Sequence, residues 1–373
     1  TALLRDGVVM SDPSHNPDGD GRFSNWANQA AGRVPVADPV GRERAESWPG
    51  GRTNHYFFDL NRDWLLLQHP ESRNRVEFLR QFRPHVMTDH HEMGADNTFF
   101  FQPGAPDRWY PLIPDANRQL TEALGRYHAR ALDRARRLYY SEESFDDFYP
   151  GKGSTWPDLQ GTVGILFEQA SPGGLVRDTA QGKITLPMAV HNHVLASLSS
   201  IEGAVEEADE LRDYRRAHMA GDLTPKGLPA GWIFDDGGDP ARAKALLDVV
   251  EGQGLDVFGI TATLRAGGRA FTPGKAWVVP VLGPRATLAQ SLFAGNRNFE
   301  DSTFYDVSAW SLPAAFGVNA APVQRMPTGL ELEASVERDY RVRGPRDAVA
   351  WVLSWQDFYA PAALHALQQA GVR

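Results

Sequence analysis

The sequence predicts an α/β protein with a mostly parallel, mixed sheet and helices on both faces, followed by a second α/β domain. Short apolar runs alternate with segments of helical periodicity between residues 7 and 220, and this alternation restarts beyond residue 230. Strands that alternate with helices are typical of parallel sheets buried on both faces. Because a chain of 373 residues exceeds what one hydrophobic core usually organises, we expect two domains.

The elements of the first half follow in order. Residues 7–10 form an apolar run that predicts a buried strand, and the turn-rich residues 11–21 predict the loop that leaves it. Residues 25–54 show little periodicity and predict a long surface loop. Beyond it we expect a helix over 65–82, a strand over 84–89, a helix over 115–139, a strand over 162–168 and a helix over 186–211.

Residues 221–229 are rich in Pro and Gly and predict a linker between domains over residues 1–220 and 230–373. The helices that we expect near the start and the end of the second domain finish alike, each with a Gly followed by a Val-bearing segment. Because the second such segment stops at Arg373, we expect this domain to be truncated at its C-terminus. Its predicted strands cover 231–234, 255–260, 275–281 and 349–354, and its predicted helices cover 240–253, 286–293 and 361–370.

The composition excludes several classes of function. A net charge of -9 argues against nucleic acid or an anionic membrane as the main partner. No apolar run approaches the roughly 20 residues that a membrane span needs, and no signal segment opens the chain. Cys is absent, which removes disulfides, thiolate metal sites and cysteine nucleophiles. Any metal must therefore be bound through His and carboxylate.

Four polar clusters follow the predicted strands of the first domain, where open parallel sheets place their ligand sites. Taken singly, each has an ordinary structural reading: Asn-Pro-Asp-Gly is a common turn, and paired His residues are commonly hydrogen-bonded structure. Glu168 is more informative, because a carboxylate that ends an apolar strand has a perturbed pKa. The clusters occupy residues 16–19, 51–64, 88–92 and 164–168.

In this order, the four clusters resemble the zinc carboxypeptidase family of the carboxypeptidase A and B type, over roughly residues 1–215. The resemblance implies a carboxypeptidase-like fold for residues 1–220, one Zn²⁺ per complete catalytic domain and a peptide or peptide-like substrate. It makes His91 of Asp-His-His a zinc ligand and Glu168 the general base. Strand alternation allows only one of His90 and His91 to face the site, so His90 is assigned a structural role.

The resemblance also implies the residues that contact the substrate. Arg52 would polarise the scissile carbonyl, while Asn61 and Arg62 would hold the terminal carboxylate, for which the planar fork of Arg is suited. Tyr149 corresponds to a mobile Tyr that caps the substrate, with Tyr139 and Tyr140 as alternatives. Asp89 lies next to the expected ligand His91, and another possible role for Asp89 is to orient that ligand.

One expected motif is missing from the sequence. The family takes two further zinc ligands from a His-X-X-Glu motif that precedes Asn-Pro-Asp-Gly, and no His-X-X-Glu occurs in this chain. The nearest approach is His15-X-X-Asp18, inside the turn itself. We therefore expect both ligands upstream of residue 1, with the first domain lacking its N-terminal strands. Because one His cannot hold zinc in a four-coordinate site, we expect weak zinc binding and little activity from this chain alone.

The second domain resembles the class I glutamine amidotransferase-like domain, which has a flavodoxin-like α/β fold. The stretches that carry this resemblance are residues 279–285 and 305–312. Glutamine hydrolysis in that fold needs a Cys nucleophile, so without any Cys this domain is expected to be catalytically silent.

These observations predict a zinc metallopeptidase of carboxypeptidase type. Two alternatives remain open: a cell-wall peptide amidase or deacylase with the same chemistry, and an inactive fragment or pseudoenzyme that binds peptide C-termini through Asn61 and Arg62. The resemblance to bacterial members with an appended domain implies a periplasmic or secreted location. The sequence leaves the substrate side-chain specificity and the oligomeric state open.

Overall fold

A computed structural model describes residues 7–295, 310–332, 336, 344–345 and 347–372. The chain divides into two compact units, the first ending at Pro225 and the second beginning at Lys226. Within the described residues, no helix combines the length and apolar character needed to cross a bilayer.

The first unit combines long helices with a small sheet and a separate hairpin. Its helices are α1 (Pro17–Ala30), α2 (Pro70–Phe82), α3 (Asp115–Arg134), α4 (Leu186–Glu206) and α5 (Ala208–Ala220). Its strands are β1 (Val86–Met93), β2 (Phe99–Phe101), β3 (Val163–Ala170), β4 (Val176–Thr179) and β5 (Gly182–Thr185). Strands β4 and β5 pair as an antiparallel hairpin.

The main sheet of the first unit has the strand order β1-β3-β2. Strands β1 and β3 run parallel, from Val86 opposite Val163 to Met93 opposite Ala170. Strand β2 pairs antiparallel on the other side of β3, so the sheet is mixed. The prediction of a mixed α/β fold is confirmed for this unit.

Helices cover both faces of this sheet. On one face, Val163, Ile165 and Phe167 of β3 belong to the main hydrophobic core, with residues of α3, α4 and α5. On the other face, Met87 of β1 packs against a smaller cluster that contains Trp64 and residues of α2. Side chains alternate along a strand, so Asp89 and His91 of β1 lie on the same face as Met87. Glu168 of β3 lies on this second face as well.

The predicted start of the first domain is wrong in two respects. Residues 7–10 are not a buried strand: they have no strand assignment, and Val8 is 78% exposed. An apolar run forms a strand only where a neighbour can pair with it. The Asn-Pro-Asp-Gly segment is not an isolated turn, because it begins α1: Asn16 is the N-cap and accepts a hydrogen bond from the Gly19 N–H, and Pro17 takes the first helical position.

The second unit is built on an antiparallel sheet. Its strands are β6 (Gly231–Asp235), β7 (Phe258–Ile260), β8 (Leu264–Ala266), β9 (Arg269–Phe271), β10 (Ala276–Pro280), β11 (Ala320–Val323) and β12 (Leu330–Glu331). Its helices are α6 (Pro240–Gly252), α7 (Ala286–Phe293), α8 (Leu312–Phe316) and α9 (Ala360–Gln369). The sheet order is β11-β6-β10-β7-β12, with β8 and β9 forming a separate hairpin.

The prediction of a parallel, flavodoxin-like sheet in this unit is therefore wrong. Each pairing within the five-stranded sheet is antiparallel. Apolar runs reveal strands but not their direction, which depends on the connections between them. The predicted strand at 349–354 is also wrong, since this segment is exposed coil. Residues 305–309 of one stretch that carried the amidotransferase resemblance lie outside the described residues.

Candidate active site

The candidate site lies on the second face of the main sheet, where β1 and β3 run side by side. His91 is the register partner of Glu168, and Asp89 is the partner of Leu166, two positions earlier. His90 faces the opposite side, where its Nδ1 lies 3.2 Å from Nδ1 of His193 in α4. The pleat of β1 therefore places His91 on the face of Glu168 and His90 on the opposite face.

His91 is held by two neighbours. Its Nε2 lies 2.9 Å from Oδ2 of Asp89 and 3.1 Å from Nδ2 of Asn61. The orientation of Asn61 is set by the backbone of Gly153, whose N–H donates to Asn61 Oδ1 at 2.8 Å. Burial disfavours the charged imidazole, but the carboxylates of Asp89 and Glu168 raise the pKa of His91 above its ordinary value.

Asp89 is the buried acid of the site, with 5% of its surface exposed. Burial acts to raise the pKa of this carboxyl group, but the charge and hydrogen bond of His91 prevail and lower the pKa to about 2. A Cβ on Gly153 would lie 2.6 Å from Asp89 Oδ2, so a larger residue there would displace the Asp89 carboxylate. Asp89 is thus an ionised group that positions His91.

Glu168 has the pKa of a potential general base. Burial raises its pKa to about 7, and the negative charge of Asp89 acts in the same direction. The positive charges of His91 and Arg52 oppose this shift. A carboxylate with a pKa near 7 can accept a proton from water and return it at neutral pH.

The predicted substrate-binding residues surround a short 3₁₀ helix over Leu60–Arg62. Asp59 caps this helix by accepting the Asn61 N–H at 2.9 Å, and it also pairs with Nε of Arg52 at 2.9 Å. Arg62 donates to the carbonyl of Asn61 at 2.7 Å. The 3.1 Å contact between Asn61 Nδ2 and His91 Nε2 places this helix beside the sheet residues, and the charge of Arg52 acts to lower the pKa of both His91 and Glu168.

The three candidate tyrosines have different surroundings. Tyr149, which the resemblance implies to be a mobile cap, is 4% exposed and donates to the Arg62 carbonyl at 3.3 Å. It therefore supports the Arg62 backbone in this structure. Tyr139 packs against Phe101 at a ring distance of 5.2 Å. Burial raises the pKa of Tyr140, and the charge of Glu168 adds to this shift.

The segment over residues 146–158 contains buried charges that the sequence analysis missed. Lys152 Nζ lies 2.6 Å from Asp146 Oδ1, and both side chains are buried. Asp158 accepts the N–H of Gly164 in β3 at 2.8 Å. Burial raises the pKa of Asp147 to about 7, and the charge of Asp147 adds to the burial that raises the pKa of Asp158. In the sequence, the pair Asp146-Asp147 followed by Lys152 in a Gly-rich loop could have indicated these buried charges.

The described residues do not complete a zinc site around His91. A four-coordinate site needs three protein ligands and water, or four protein ligands. Among the described residues, the group of three side chains with suitable spacing is Asp18, His55 and Glu71, which does not include His91. His15 packs 5.9 Å from the Trp64 ring, and Asp18 pairs with His55 at 2.6 Å. His15-X-X-Asp18 therefore does not replace the missing motif.

No protein-family model and no curated protein sequence matches this chain. Solved structures are similar to parts of it, and two of them, each at 14% sequence identity, are a metallo-carboxypeptidase from Burkholderia cenocepacia and thrombin activatable fibrinolysis inhibitor. A metallo-carboxypeptidase from Burkholderia cenocepacia aligns with a TM-score of 0.34 over 52% of this chain and 52% of its own length. Thrombin activatable fibrinolysis inhibitor (TAFI) aligns with a TM-score of 0.28 over 39% of this chain and 36% of its own length.

This chain thus spans about half the length of the first of these structures. The activities in these names are those of the two solved proteins. Neither of the two is an amidotransferase, so these comparisons give no support to the amidotransferase-like assignment of residues 230–373.

Proposed function

We propose that the first unit belongs to a peptide-bond hydrolase of metallocarboxypeptidase type, which acts near a free C-terminal carboxylate. The observation that carries this proposal is the pairing of His91 with Glu168 across parallel strands, with the pKa of Glu168 at about 7. The polar loop of Arg52, Asn61 and Arg62 next to this pair supports the same function.

Five side chains of this chain would take part in the reaction. Arg62 and Asn61 bind the terminal carboxylate of the peptide, and Arg52 donates to the carbonyl oxygen as negative charge develops on it. Glu168 accepts a proton from the attacking water and passes it to the leaving amine. Asp89 holds His91 in place through their 2.9 Å contact.

The proposed family uses Zn²⁺ to polarise the carbonyl and activate water. The described residues supply only His91 toward such a site, so the roles assigned above are those of the side chains of this chain alone. A second candidate function follows from this observation: recognition of peptide C-termini without cleavage. An amidase or deacylase would share the same proton transfers and differ only in the bond that is cleaved.

The test measures peptide binding and cleavage separately. Calorimetry with an N-acetylated dipeptide that has a free carboxylate, and with its C-terminal amide, isolates carboxylate recognition. We expect the free acid to bind about 10-fold or more tightly, because a charge-assisted hydrogen bond contributes about 1.5–3 kcal/mol. Arg62→Gln should remove this preference, whereas Arg134→Gln, an exposed position at the end of α3, should preserve it. Equal affinity for acid and amide in the unaltered chain would refute the proposal.

Cleavage assays then separate the two candidate functions. Turnover of the free acid, with and without added Zn²⁺, that is abolished by Glu168→Gln supports the hydrolase. Binding of the free acid with no turnover under either condition supports recognition alone. A panel of N-acyl amino acids and cell-wall peptides tested in parallel identifies a deacylase or amidase.

A further inference from the structure

A cavity of about 190 Å³ opens in the first unit away from the residues proposed for catalysis. It lies where the end of β3 meets the segment after α3, the β4-β5 hairpin and the first turns of α4. None of the residues assigned to the candidate active site lines it. Because Gln169 of the cavity follows Glu168 in β3, their side chains leave opposite faces of the strand.

The wall of this cavity is positively charged. Arg136, Arg137 and Lys183 line it, and no carboxylate does. Lys183 pairs with exposed Asp178 at 2.6 Å. In the described part of the chain, neither arginine takes part in an ion pair, and Nε of Arg137 is buried without a hydrogen-bond partner. A buried donor on a cation without an acceptor is unfavourable, and an anion would satisfy it.

Two buried amides complete the wall. Gln169 and Asn192 are 1% and 3% exposed. Gln169 Nε2 donates to the Ala170 carbonyl at 2.9 Å, so Gln169 Oε1 accepts from Asn192 Nδ2 at 2.7 Å. This chain of bonds fixes the orientation of Asn192 and leaves its Oδ1 buried without a partner. Since buried acceptors are nearly always hydrogen-bonded in native proteins, a donor on a ligand in the cavity would satisfy Asn192 Oδ1.

We propose that this cavity binds a small anion that also carries a hydroxyl group. The anionic oxygens accept from Arg136 and Arg137, and the hydroxyl donates to Oδ1 of Asn192. A phosphate monoester of a small polyol and a short hydroxycarboxylate share this chemistry. The site is independent of the proposed peptide hydrolysis.

Calorimetric titration of the full chain tests the site with defined probes. Glycerol 3-phosphate and glycolate carry both an anion and a hydroxyl, methyl phosphate and acetate carry the anion alone, and glycerol carries hydroxyls alone. We expect glycerol 3-phosphate to bind about 10-fold more tightly than methyl phosphate, or glycolate to bind about 10-fold more tightly than acetate. This factor corresponds to one hydrogen bond that satisfies a buried acceptor. Binding of glycerol 3-phosphate alone identifies a phosphate ester, and binding of glycolate alone identifies a hydroxycarboxylate.

Two variants locate the binding. Arg137→Gln should weaken the affinity about 10-fold or more, whereas Arg134→Gln, which does not line the cavity, should change it less than about 2-fold. Circular dichroism melts of both variants verify that they are folded. The proposal is overturned if neither glycerol 3-phosphate nor glycolate saturates the protein. It is also overturned if methyl phosphate binds as tightly as glycerol 3-phosphate and acetate as tightly as glycolate, or if Arg137→Gln and Arg134→Gln weaken binding equally.

Discussion

Gly164 allows the loop that carries Gly153 to lie directly on β3. A Cβ at position 164 would lie 1.8 Å from the Ser154 carbonyl oxygen and 2.9 Å from its carbon. Both are backbone atoms, so no rotamer change relieves the contact and the chain around Ser154 must move. In Gly164→Ala this movement would also disturb the bond from the Gly164 N–H to Asp158, which is 2.8 Å long.

The cost can be worked from these contacts. Overpacking costs about 1–3 kcal/mol, and a weakened hydrogen bond to a buried carboxyl group adds about 1 kcal/mol. The sum of about 2–4 kcal/mol corresponds to a melting temperature lower by roughly 4–16 °C for a unit of this size. Because Gly153 holds Asn61 through a 2.8 Å bond, the affinity for a peptide with a free carboxylate should fall as well.

Thermal unfolding followed by circular dichroism measures the effect, and Gly21→Ala is the matched control. A Cβ at Gly21 meets nothing within 4 Å, and this residue lies within α1. Gly-to-Ala exchange in a helix stabilises by roughly 0.5–1 kcal/mol, so the control should melt at or slightly above the temperature of the unaltered protein. Melting of Gly164→Ala within 1 °C of the unaltered protein would refute the packing that we infer for this loop.

Three further predictions concern charge. The pKa of Glu168 is raised from 4.5 to about 7 on folding, so its contribution to stability is complete below pH 4.5 and is lost as the pH rises from there through 7. Urea titrations should show that Glu168→Gln lacks this loss of about 3 kcal/mol, and an unchanged pH dependence would contradict the raised pKa. Lys152→Met leaves Asp146 buried without its 2.6 Å partner, so denaturation should show a destabilisation of about 3–5 kcal/mol, and a loss below 1 kcal/mol would contradict a buried pair. After dialysis against a weak chelator, atomic absorption should find far less than one zinc per chain, and one equivalent that is lost in His91→Ala would contradict the incomplete site.

The sequence contains enough information to find the two central strands and the residues at their ends. The strands predicted over 84–89 and 162–168 overlap β1 and β3, and alternation alone separates His90 from His91. The register that places His91 opposite Glu168 could not be predicted, because it depends on how helices and loops join two strands that are about 75 residues apart.

Other features depend on contacts between distant segments, which periodicity does not encode. The buried position of Tyr149 and the close approach of Gly153 to Asp89 both result from the packing of one loop on the sheet. The antiparallel second sheet was missed because strand direction leaves no local pattern. Residues 7–10 were misread for the converse reason, since an apolar run is compatible with exposed coil.

The buried carboxyl groups of Asp147 and Asp158 make the loop beside the site sensitive to pH. Burial raises the pKa of each group, and the charge of Asp147 raises the pKa of Asp158 further, so ionisation of one acid opposes ionisation of the other. The Gly164 N–H, which donates to Asp158, acts in the opposite direction and favours the ionised form. Alkaline conditions therefore place a second negative charge inside this loop and weaken its packing, although no covalent bond is broken.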